Sequence, residues 1–225
     1  MPVVSVIIPT YNREAATVRA LESVFAQSFR EIEVVVVDDG STDDMSRLRE
    51  RASELGAQWI SIDHSGVSRA RNMGVANSSA RWLAFLDSDD LWLPQKLAKQ
   101  MSYLSVHPEL RICQTAEQWI RHGKPVNPKL IHAMPDGEAF FASLERCVVS
   151  PSSVVIDREL FVASGGFDEA LPACEDYDLW LRLAVREPIG LVHDMLIQKF
   201  GGHADQLSRK YEAMDRFRVY ALLKL

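Results

Sequence analysis

Apolar segments alternate with amphipathic ones along the first half of the chain. Residues 3–8 form an apolar run, and four consecutive valines stand within residues 33–37. Continuous apolar runs of this length predict parallel strands that are buried on both faces of a sheet. Between the two runs, apolar residues recur at helical spacing and predict a helix that covers the sheet. Those residues are Ala16, Ala20, Leu21, Val24 and Phe25.

The same alternation continues to about residue 107. It predicts strands at 58–62 and 82–86 and helices at 45–55, 68–76 and 94–107. Repeated strand and helix units are typical of an α/β fold with a Rossmann-like, mostly parallel central sheet flanked by helices. A chain of 225 residues is long for one domain and short for two. We therefore predict a single domain over residues 1–225.

The second half of the chain has a weaker pattern. Breaker residues between 121 and 128 predict a mobile loop, and Gly165 and Gly166 predict a turn. Around them we predict strands at 153–156 and 190–193, a helix at 177–186 and a final helix within 207–225. The final helix mixes basic with apolar residues, so it either packs on the core or touches an anionic membrane surface. Packing on the core is the favoured prediction.

Composition and charge narrow the class of protein. The chain is 47% hydrophobic and 25% charged, which predicts a folded globular protein. The formal net charge is -6 and the basic residues are scattered among acidic ones, which argues against a nucleic-acid partner. The three cysteines fit neither a disulfide framework nor a paired metal site. Neither a signal peptide nor a membrane-spanning run is found, so we expect a cytoplasmic location, with peripheral attachment to the inner face of the membrane as the alternative.

Acidic residues follow the predicted strand at 82–86, in the order Asp87, Ser88, Asp89 and Asp90. Carboxylates this close together repel one another unless a cation or a solvated loop relieves them. Mg²⁺ or Mn²⁺ held by one or two carboxylates also bridges to substrate phosphates. The cluster therefore predicts a divalent metal site for a nucleotide diphosphate. An acidic loop that caps the next helix is the alternative.

Two other predicted strands also end in polar groups. Asp38 and Asp39 follow the second strand, where a carboxylate could accept a hydrogen bond from the N–H edge of a base. The first strand leads into a ring for base stacking and small polar groups for the ribose, supplied by Pro9, Thr10, Tyr11 and Asn12. In open α/β sheets, ligands bind outside the carboxyl ends of the strands. The three strand ends together therefore predict a nucleotide site.

Four blocks of the sequence resemble the family 2 glycosyltransferases, which have the GT-A fold. They are VSVIIPTYN at 4–12, VDDGSTD at 37–43, GVSRARNMG at 66–74 and FLDSDD at 85–90. The resemblance covers roughly the first hundred residues strongly and reappears at GGFD, 165–168, and at Glu175 and Asp176. It implies an inverting glycosyltransferase whose residues 1–110 bind the nucleotide sugar. Residues 111–225 would then form the acceptor-binding half, with a C-terminal helix.

The resemblance also implies roles for individual residues. The implied nucleoside-binding segments contain Pro9, Thr10, Tyr11, Asn12, Asp38 and Asp39. Asp87 and Asp89, with Ser88 between them, would form the DxD element on the ribose and on a Mn²⁺ or Mg²⁺ ion. Asp176 would be the catalytic base. Its alternative role is structural, because acids in the first turn of a helix are favoured by the helix dipole.

Two further residues complete the predicted site. Arg71 lies between the base-binding and metal-binding segments and could approach the diphosphate, although an exposed arginine paired with a neighbouring acid is the alternative. His203 lies in a C-terminal turn that in some similar enzymes supplies an imidazole to the metal, with a solvated turn histidine as the alternative. Residues 124–135 and 149–178 are expected to contact the acceptor, a glycan, a glycolipid or another hydroxyl compound.

The function predicted from these features is transfer of one sugar from a nucleotide-diphosphate donor, with a UDP-sugar favoured, to an acceptor hydroxyl. The chain lacks the Gln-x-x-Arg-Trp element of the processive synthases that resemble this family, so a single transfer per encounter is expected. It also lacks the Gly-rich loop of a sugar nucleotidyltransferase and the GxGxxG of a dehydrogenase. A nucleotide-sugar or glycan-binding module without catalysis is the non-enzymatic alternative. The presence of Asp89 and Asp176 argues against that alternative.

Overall fold

A computed structural model describes residues 1–121, 123–126, 133–201 and 211–225. Nine strands form one sheet in this part of the chain: β1 (Val4–Thr10), β2 (Ile32–Asp38), β3 (Gln58–Ser61), β4 (Trp82–Phe85), β5 (Leu91–Trp92), β6 (Ile112–Arg121), β7 (Lys124–Val126), β8 (Val155–Asp157) and β9 (Gly190–Gly201). The helices are α1 (Glu14–Phe25), α2 (Ser46–Leu55), α3 (Val67–Ala76), α4 (Lys96–Val106), α5 (Phe140–Glu145), α6 (Arg158–Ala163), α7 (Glu175–Ala184) and α8 (Asp215–Leu223). A short 3₁₀ turn occupies Pro151–Ser153.

The sheet has a parallel part and a mixed part. Its strand order is β3-β2-β1-β4-β8-β6-β9-β5, with β7 paired to β6. The first four strands are parallel to one another, as the sequence predicts. Beyond β4 the sheet is mixed, because β8 runs antiparallel to both β4 and β6, whereas β9 is parallel to β6. The α/β class and the helices flanking a central sheet are thus observed, and the prediction of a mostly parallel sheet holds for the first four strands only.

Helices cover both faces of the parallel strands, which explains their continuous apolar runs. Val6 and Ile8 of β1 pack with apolar residues of α1, α2 and α4 on one face. Ile7 packs with residues of α3, α6 and α7 on the other face. Gly74 lets α3 approach β1 closely, since a Cβ at this position would lie 2.3 Å from Ile7 Cγ2. The layering fixes the carboxyl ends of β1, β2 and β4 at one edge.

The sequence prediction was wrong around residues 112–126. The expected mobile loop at 121–128 contains instead the end of β6 and the whole of β7, which form an antiparallel hairpin with Arg121 opposite Lys124. β6 was missed because Gln114 and Thr115 interrupt its apolar pattern, yet both are fully buried between β8 and β9. Part of the expected loop, residues 122 and 127–128, lies outside the described residues.

The final helix predicted from the sequence is observed as α8 and packs on α7. Ala221 is fully buried and clusters with Tyr177 and Leu181. The guanidinium of Arg218 lies 5.1 Å from the centre of the Tyr177 ring. Packing on the core, the favoured prediction, therefore describes one face of this helix. Among the described residues, every helix is too short or too polar to cross a bilayer.

Candidate active site

An aromatic pair stands at the edge where β1 and β2 end. Tyr11 follows β1, is 38% exposed, and stacks on the imidazole of His64 with ring centres 4.1 Å apart. His64 Nδ1 lies 2.9 Å from Asp39 Oδ2, which anchors the imidazole to the end of β2. The pair presents flat ring surface at the strand ends, a surface on which a nucleobase can stack.

The carboxylates that follow β2 organise the loops around this aromatic pair. Asp39 is 3% exposed, and its two oxygens accept hydrogen bonds from the backbone N–H groups of Ser65 and Gly66, at 2.8 and 2.9 Å. Asp38 accepts a hydrogen bond from the N–H of Ser41 at 3.0 Å. Both acids therefore hold the loops at this edge of the sheet. A base that bound to Asp39 would share its oxygens with these donors.

The segment from Pro9 to Asn12 is likewise tied into the framework. Pro9 and Thr10 are buried in the last part of β1, and the hydroxyl of Thr10 lies 2.7 Å from that of Thr17. Asn12 has a φ of 51° and accepts hydrogen bonds through Oδ1 from the N–H groups of Thr42 and Asp43. Of this segment, Tyr11 is thus the side chain that is turned toward solvent.

The predicted DxD element, Asp87 to Asp89, follows β4, and protein cations lie beside its acids. Asp87 Oδ1 pairs with Arg71 at 2.7 Å, and Asp89 Oδ2 pairs with Arg13 at 2.6 Å. Ser88 between them is 8% exposed. The repulsion among these carboxylates, which in the sequence argued for a metal ion, is therefore relieved in part by two arginines.

Asp90, the third acid of the cluster, is buried and tied to neighbouring elements. It is 2% exposed, accepts a hydrogen bond from Ser152 Oγ at 2.7 Å, and accepts another from the N–H of Phe200 at 3.1 Å. Burial raises the pKa of Asp90 well above its ordinary value, and the charges of Asp87 and Asp89 add to the rise. Asp90 therefore joins the loop to the 3₁₀ turn and to β9.

Arg71 connects the DxD loop to the start of α7. Its side chain is 4% exposed and pairs with Asp87 on one side and with Glu175 Oε1, at 2.7 Å, on the other. Burial alone would lower the pKa of Arg71, but the two carboxylates outweigh burial and raise it above its ordinary value. The guanidinium is thus directed at two acids and buried, unlike the exposed arginine of the alternative prediction.

Asp176, the predicted base, lies in the first turn of α7 and is partly exposed. Its Oδ2 accepts a hydrogen bond from Cys147 Sγ at 3.4 Å. Cys147 is exposed. The surrounding protein, and then the charge of Asp176, raise the pKa of its thiol well above the ordinary value. Just before α7, Cys174 has a φ of 61°, a strained value for a residue with a side chain. The chain therefore turns sharply directly before the helix that begins with Glu175 and Asp176.

The oxygen ligands of the DxD loop suit a hard divalent cation. Mg²⁺ and Mn²⁺ prefer oxygen ligands and bind one or two carboxylates together with water and substrate phosphates. Within the ranges that the structure describes, no three His, Cys, Asp or Glu side chains are grouped for a metal ion. A cation at Asp87 and Asp89 would therefore complete its coordination with substrate oxygens and water. His203, the third predicted ligand, lies outside the described residues.

Sequence reasoning missed several neighbours of this site. Four side chains come close to its residues from distant positions along the chain, because of the tertiary fold alone. They are His64, Arg13, Glu175 and Lys199. Glu175 alone had a local signal, because it stands next to Asp176 in a resembling block. The four parallel strands have the order β3-β2-β1-β4, and polar residues follow their carboxyl ends, where ligands bind in open α/β sheets.

Comparison with known proteins identifies the family. The profile described as glycosyl transferase family 2 matches residues 5–153, and the profile described as glycosyltransferase like family 2 matches residues 131–217. The chain therefore belongs to glycosyl transferase family 2, a family of transferase enzymes.

Curated relatives agree with this assignment. An uncharacterized glycosyltransferase of Rickettsia felis is 31% identical over 188 residues, which are 83% of this chain and 31% of the relative. The Escherichia coli protein WfaP is 28% identical over 186 residues, 81% of this chain and 70% of its own length. It is named as a UDP-Glc:alpha-D-GlcNAc-diphosphoundecaprenol beta-1,3-glucosyltransferase. The chain thus spans less than a third of the Rickettsia relative.

Solved structures share the fold. S. aureus TarS, residues 1–349, in complex with UDP-GlcNAc has a TM-score of 0.80 at 21% identity, over 98% of this chain and 66% of that one. The mannosyltransferase PcManGT of Pyrobaculum calidifontis, in complex with GDP-Man and Mn²⁺, has a TM-score of 0.70 at 20% identity, over 91% of this chain and 58% of that one. These similarities confirm the predicted GT-A architecture.

Proposed function

We propose that this chain is an inverting glycosyltransferase that moves one sugar from a nucleotide-diphosphate donor, with UDP-sugar favoured, to a hydroxyl group of a glycan or glycolipid. The observation that carries the proposal is the Asp87–Arg71–Glu175 ion-pair chain, with both distances at 2.7 Å. It fixes the loop expected to hold the donor's ribose and diphosphate against the helix that begins with the expected base, Asp176. The leaving group and the base would thereby be held close to each other.

The nucleoside would bind at the Tyr11 and His64 end of this cleft. The exposed ring of Tyr11 offers a stacking surface, and Asp39 lies beside it with its carboxylate in contact with His64. The relative WfaP is named for a UDP-sugar, and TarS forms a complex with UDP-GlcNAc. These names support uridine as the base of the donor.

The chemistry proposed at the other end is a single displacement. The carboxylate of Asp176 accepts the proton of the acceptor hydroxyl while that oxygen attacks the anomeric carbon. The bond between the anomeric carbon and the diphosphate oxygen breaks, and its electron pair leaves with the nucleoside diphosphate. Attack opposite to the leaving group inverts the anomeric centre. Cys147, which donates to Asp176 Oδ2, would hold the orientation of the carboxylate.

A divalent cation belongs to the same proposal. Asp89 would hold Mn²⁺ or Mg²⁺ with Asp87 beside it, and the ion would supply positive charge to the diphosphate. The Mn²⁺ complex of PcManGT supports this choice of cation. His203 stays a predicted ligand.

The acceptor is expected on the Asp176 side of the cleft, against residues 124–135 and 149–178. The name of WfaP describes a lipid-linked diphosphate acceptor, which supports a glycolipid here. On α8, Val219, Leu222 and Leu223 are exposed, and this apolar surface supports peripheral contact with a membrane that carries the acceptor. A cytoplasmic location is part of this proposal.

The test is a transfer assay with UDP-glucose or UDP-GlcNAc, Mn²⁺ and a panel of glycan and lipid-diphosphate acceptors. We expect release of UDP that depends on acceptor, and a β-linked product from the α-linked donor. Asp176→Asn should lower kcat by about 10²- to 10⁴-fold, because a general base contributes that much, and should still bind UDP. Asp194→Asn is the matched control, since Asp194 is half-exposed and pairs with Lys99 away from the cleft.

Each alternative function gives a different result in this assay. A binding module without catalysis would leave the UDP-sugar intact in wild-type protein. A sugar nucleotidyltransferase would consume a nucleoside triphosphate and release pyrophosphate. A wild-type rate in Asp176→Asn would show that another group accepts the proton.

A further inference from the structure

Lys199 of β9 is a cation beside the DxD loop that the sequence did not indicate. Its side chain is 35% exposed, and Nζ donates a hydrogen bond to Ser150 Oγ at 2.8 Å. The carboxylate of Glu117 is the next group, with its Oε1 3.8 Å from Nζ. An ammonium group has three N–H donors. In the described part of the chain, only Ser150 lies within hydrogen-bonding distance of Nζ, so the ammonium can take a further ligand.

The register of the sheet places Lys199 beside the DxD loop. Leu91, directly after Asp90, pairs with Gln198, directly before Lys199. The N–H of Phe200, directly after Lys199, donates to Asp90 Oδ1 at 3.1 Å. The position of the backbone at Lys199 is thus fixed from both sides.

The hydrogen-bond partner of Lys199 belongs to the same unit. Ser150 directly precedes the 3₁₀ turn, in which Ser152 Oγ accepts from the N–H of Asp87 at 3.1 Å and donates to Asp90 at 2.7 Å. Hydrogen bonds therefore link the ammonium and the DxD loop to the same short segment, residues 150–152.

The charges around Lys199 span the whole proposed reaction centre. Burial alone would lower the pKa of Lys199, but the negative charges of four nearby acids outweigh burial and raise it above the ordinary value. The acids are Glu117, Asp90, Asp87 and Asp176. The side chain thus stays cationic at neutral pH. The charges that raise this pKa include Asp87, on the expected donor side, and Asp176, the expected base.

Arg71 already has two carboxylate partners, each at 2.7 Å from its buried guanidinium. Lys199 is more exposed, and within the described ranges its single hydrogen bond leaves N–H donors for a ligand. We propose that Lys199 Nζ binds the diphosphate of the donor and stabilises the negative charge that develops there as the sugar leaves. A fixed cation at that place would stabilise the leaving diphosphate by the same electrostatic effect as a divalent metal ion. This inference rests on the proposed function, since it names a further group for the same leaving diphosphate.

The test is equilibrium binding of uridine, UMP and UDP, with and without Mn²⁺, to wild type, Lys199→Met, Lys199→Arg and Lys99→Met. Hydrogen bonds to charged groups contribute enough for a loss of about 10- to 100-fold in affinity for UDP in Lys199→Met. Uridine should bind to this variant as it does to wild type. Lys199→Arg should recover part of the affinity. Lys99→Met, which removes a half-exposed lysine that pairs with Asp194, should bind UDP normally.

Three results would overturn the inference. Equal affinity of wild type and Lys199→Met for UDP would refute it while leaving the proposed function intact. An equal loss for uridine and UDP, together with a lower melting temperature, would show that Lys199 only supports the fold. Wild-type protein that binds none of the nucleotides would overturn the proposed function and this inference together.

Discussion

Replacement of Arg71 with methionine should destabilise the protein strongly, because it leaves a buried carboxylate without its cation. Glu175 is 5% exposed and Asp87 is more open, with 27% of its side chain accessible. Breaking a buried ion pair on one side costs about 3–5 kcal/mol. In a domain of this size each kcal/mol lowers Tm by about 2–4 °C, so Tm should fall by roughly 6–20 °C.

The pH dependence of Arg71→Met follows from Glu175. Burial raises the pKa of Glu175 above its ordinary value, and Arg71 opposes that rise. Without Arg71, the carboxyl of Glu175 keeps its proton to a higher pH in the folded state than in the unfolded state. The variant therefore loses stability as the pH rises from the unfolded-state pKa to the folded-state pKa of Glu175. Its loss of stability relative to wild type should be larger at pH 8 than at pH 5.5.

Urea unfolding followed by tryptophan fluorescence at the two pH values measures both effects. The double variant Arg71→Met with Glu175→Gln removes the buried charge and should be more stable than Arg71→Met alone. The reasoning would be refuted if the unfolding free energy of Arg71→Met lay within about 0.5 kcal/mol of the wild-type value at both pH values, a change typical of surface sites. A double variant no more stable than the single one would equally contradict it.

Three other predictions concern single sites. Lys96 is fully buried, and burial lowers its pKa from 10.5 to about 7. The free energy of unfolding of the wild type should therefore rise by up to about 1.4 kcal/mol per pH unit between pH 7 and 9. Urea unfolding should show a smaller rise with pH for Lys96→Met, and an equal rise would argue against a buried neutral amine. Gly74→Ala should cost about 1–3 kcal/mol by overpacking against Ile7, and an unchanged urea midpoint would show that α3 can move away. Gly40→Ala places a Cβ 2.5 Å from the backbone nitrogen of His64, at a φ of 71°. It should therefore weaken UDP binding as well as lower Tm. Normal UDP affinity in calorimetry would show that this turn does not contribute to the base site.

The parallel half of the fold could be predicted from sequence because its signals are local. β1 and β2 are continuous apolar runs, and each ends directly before polar residues that the topology must place at one edge. Tyr11, Asp39 and Asp87 were therefore found together without any knowledge of distances. β6 escaped because Gln114 and Thr115 are polar side chains that neighbouring strands bury.

The contacts that join the two ends of the site could not be predicted in the same way. Arg71 reaches Glu175 across 104 positions, and Arg13 reaches Asp89 across 76. Nothing in the helical pattern around Arg71 indicates which acid it meets. Lys199 was missed because β9 extends to Gly201, well beyond the strand predicted at 190–193. Such pairings arise only from the tertiary arrangement.

The measurement that tests the central claim most directly is calorimetric titration of wild-type protein and Tyr11→Ala with UDP, GDP, dTDP and CMP in the presence of Mn²⁺. The account predicts that one nucleotide, with UDP favoured, binds to wild type with one site per chain. Tyr11→Ala should bind it about tenfold more weakly, because a stacked base contributes about 1–3 kcal/mol. Wild-type protein that binds none of the four nucleotides, with or without the cation, would contradict the assignment of a nucleotide site to these strand ends.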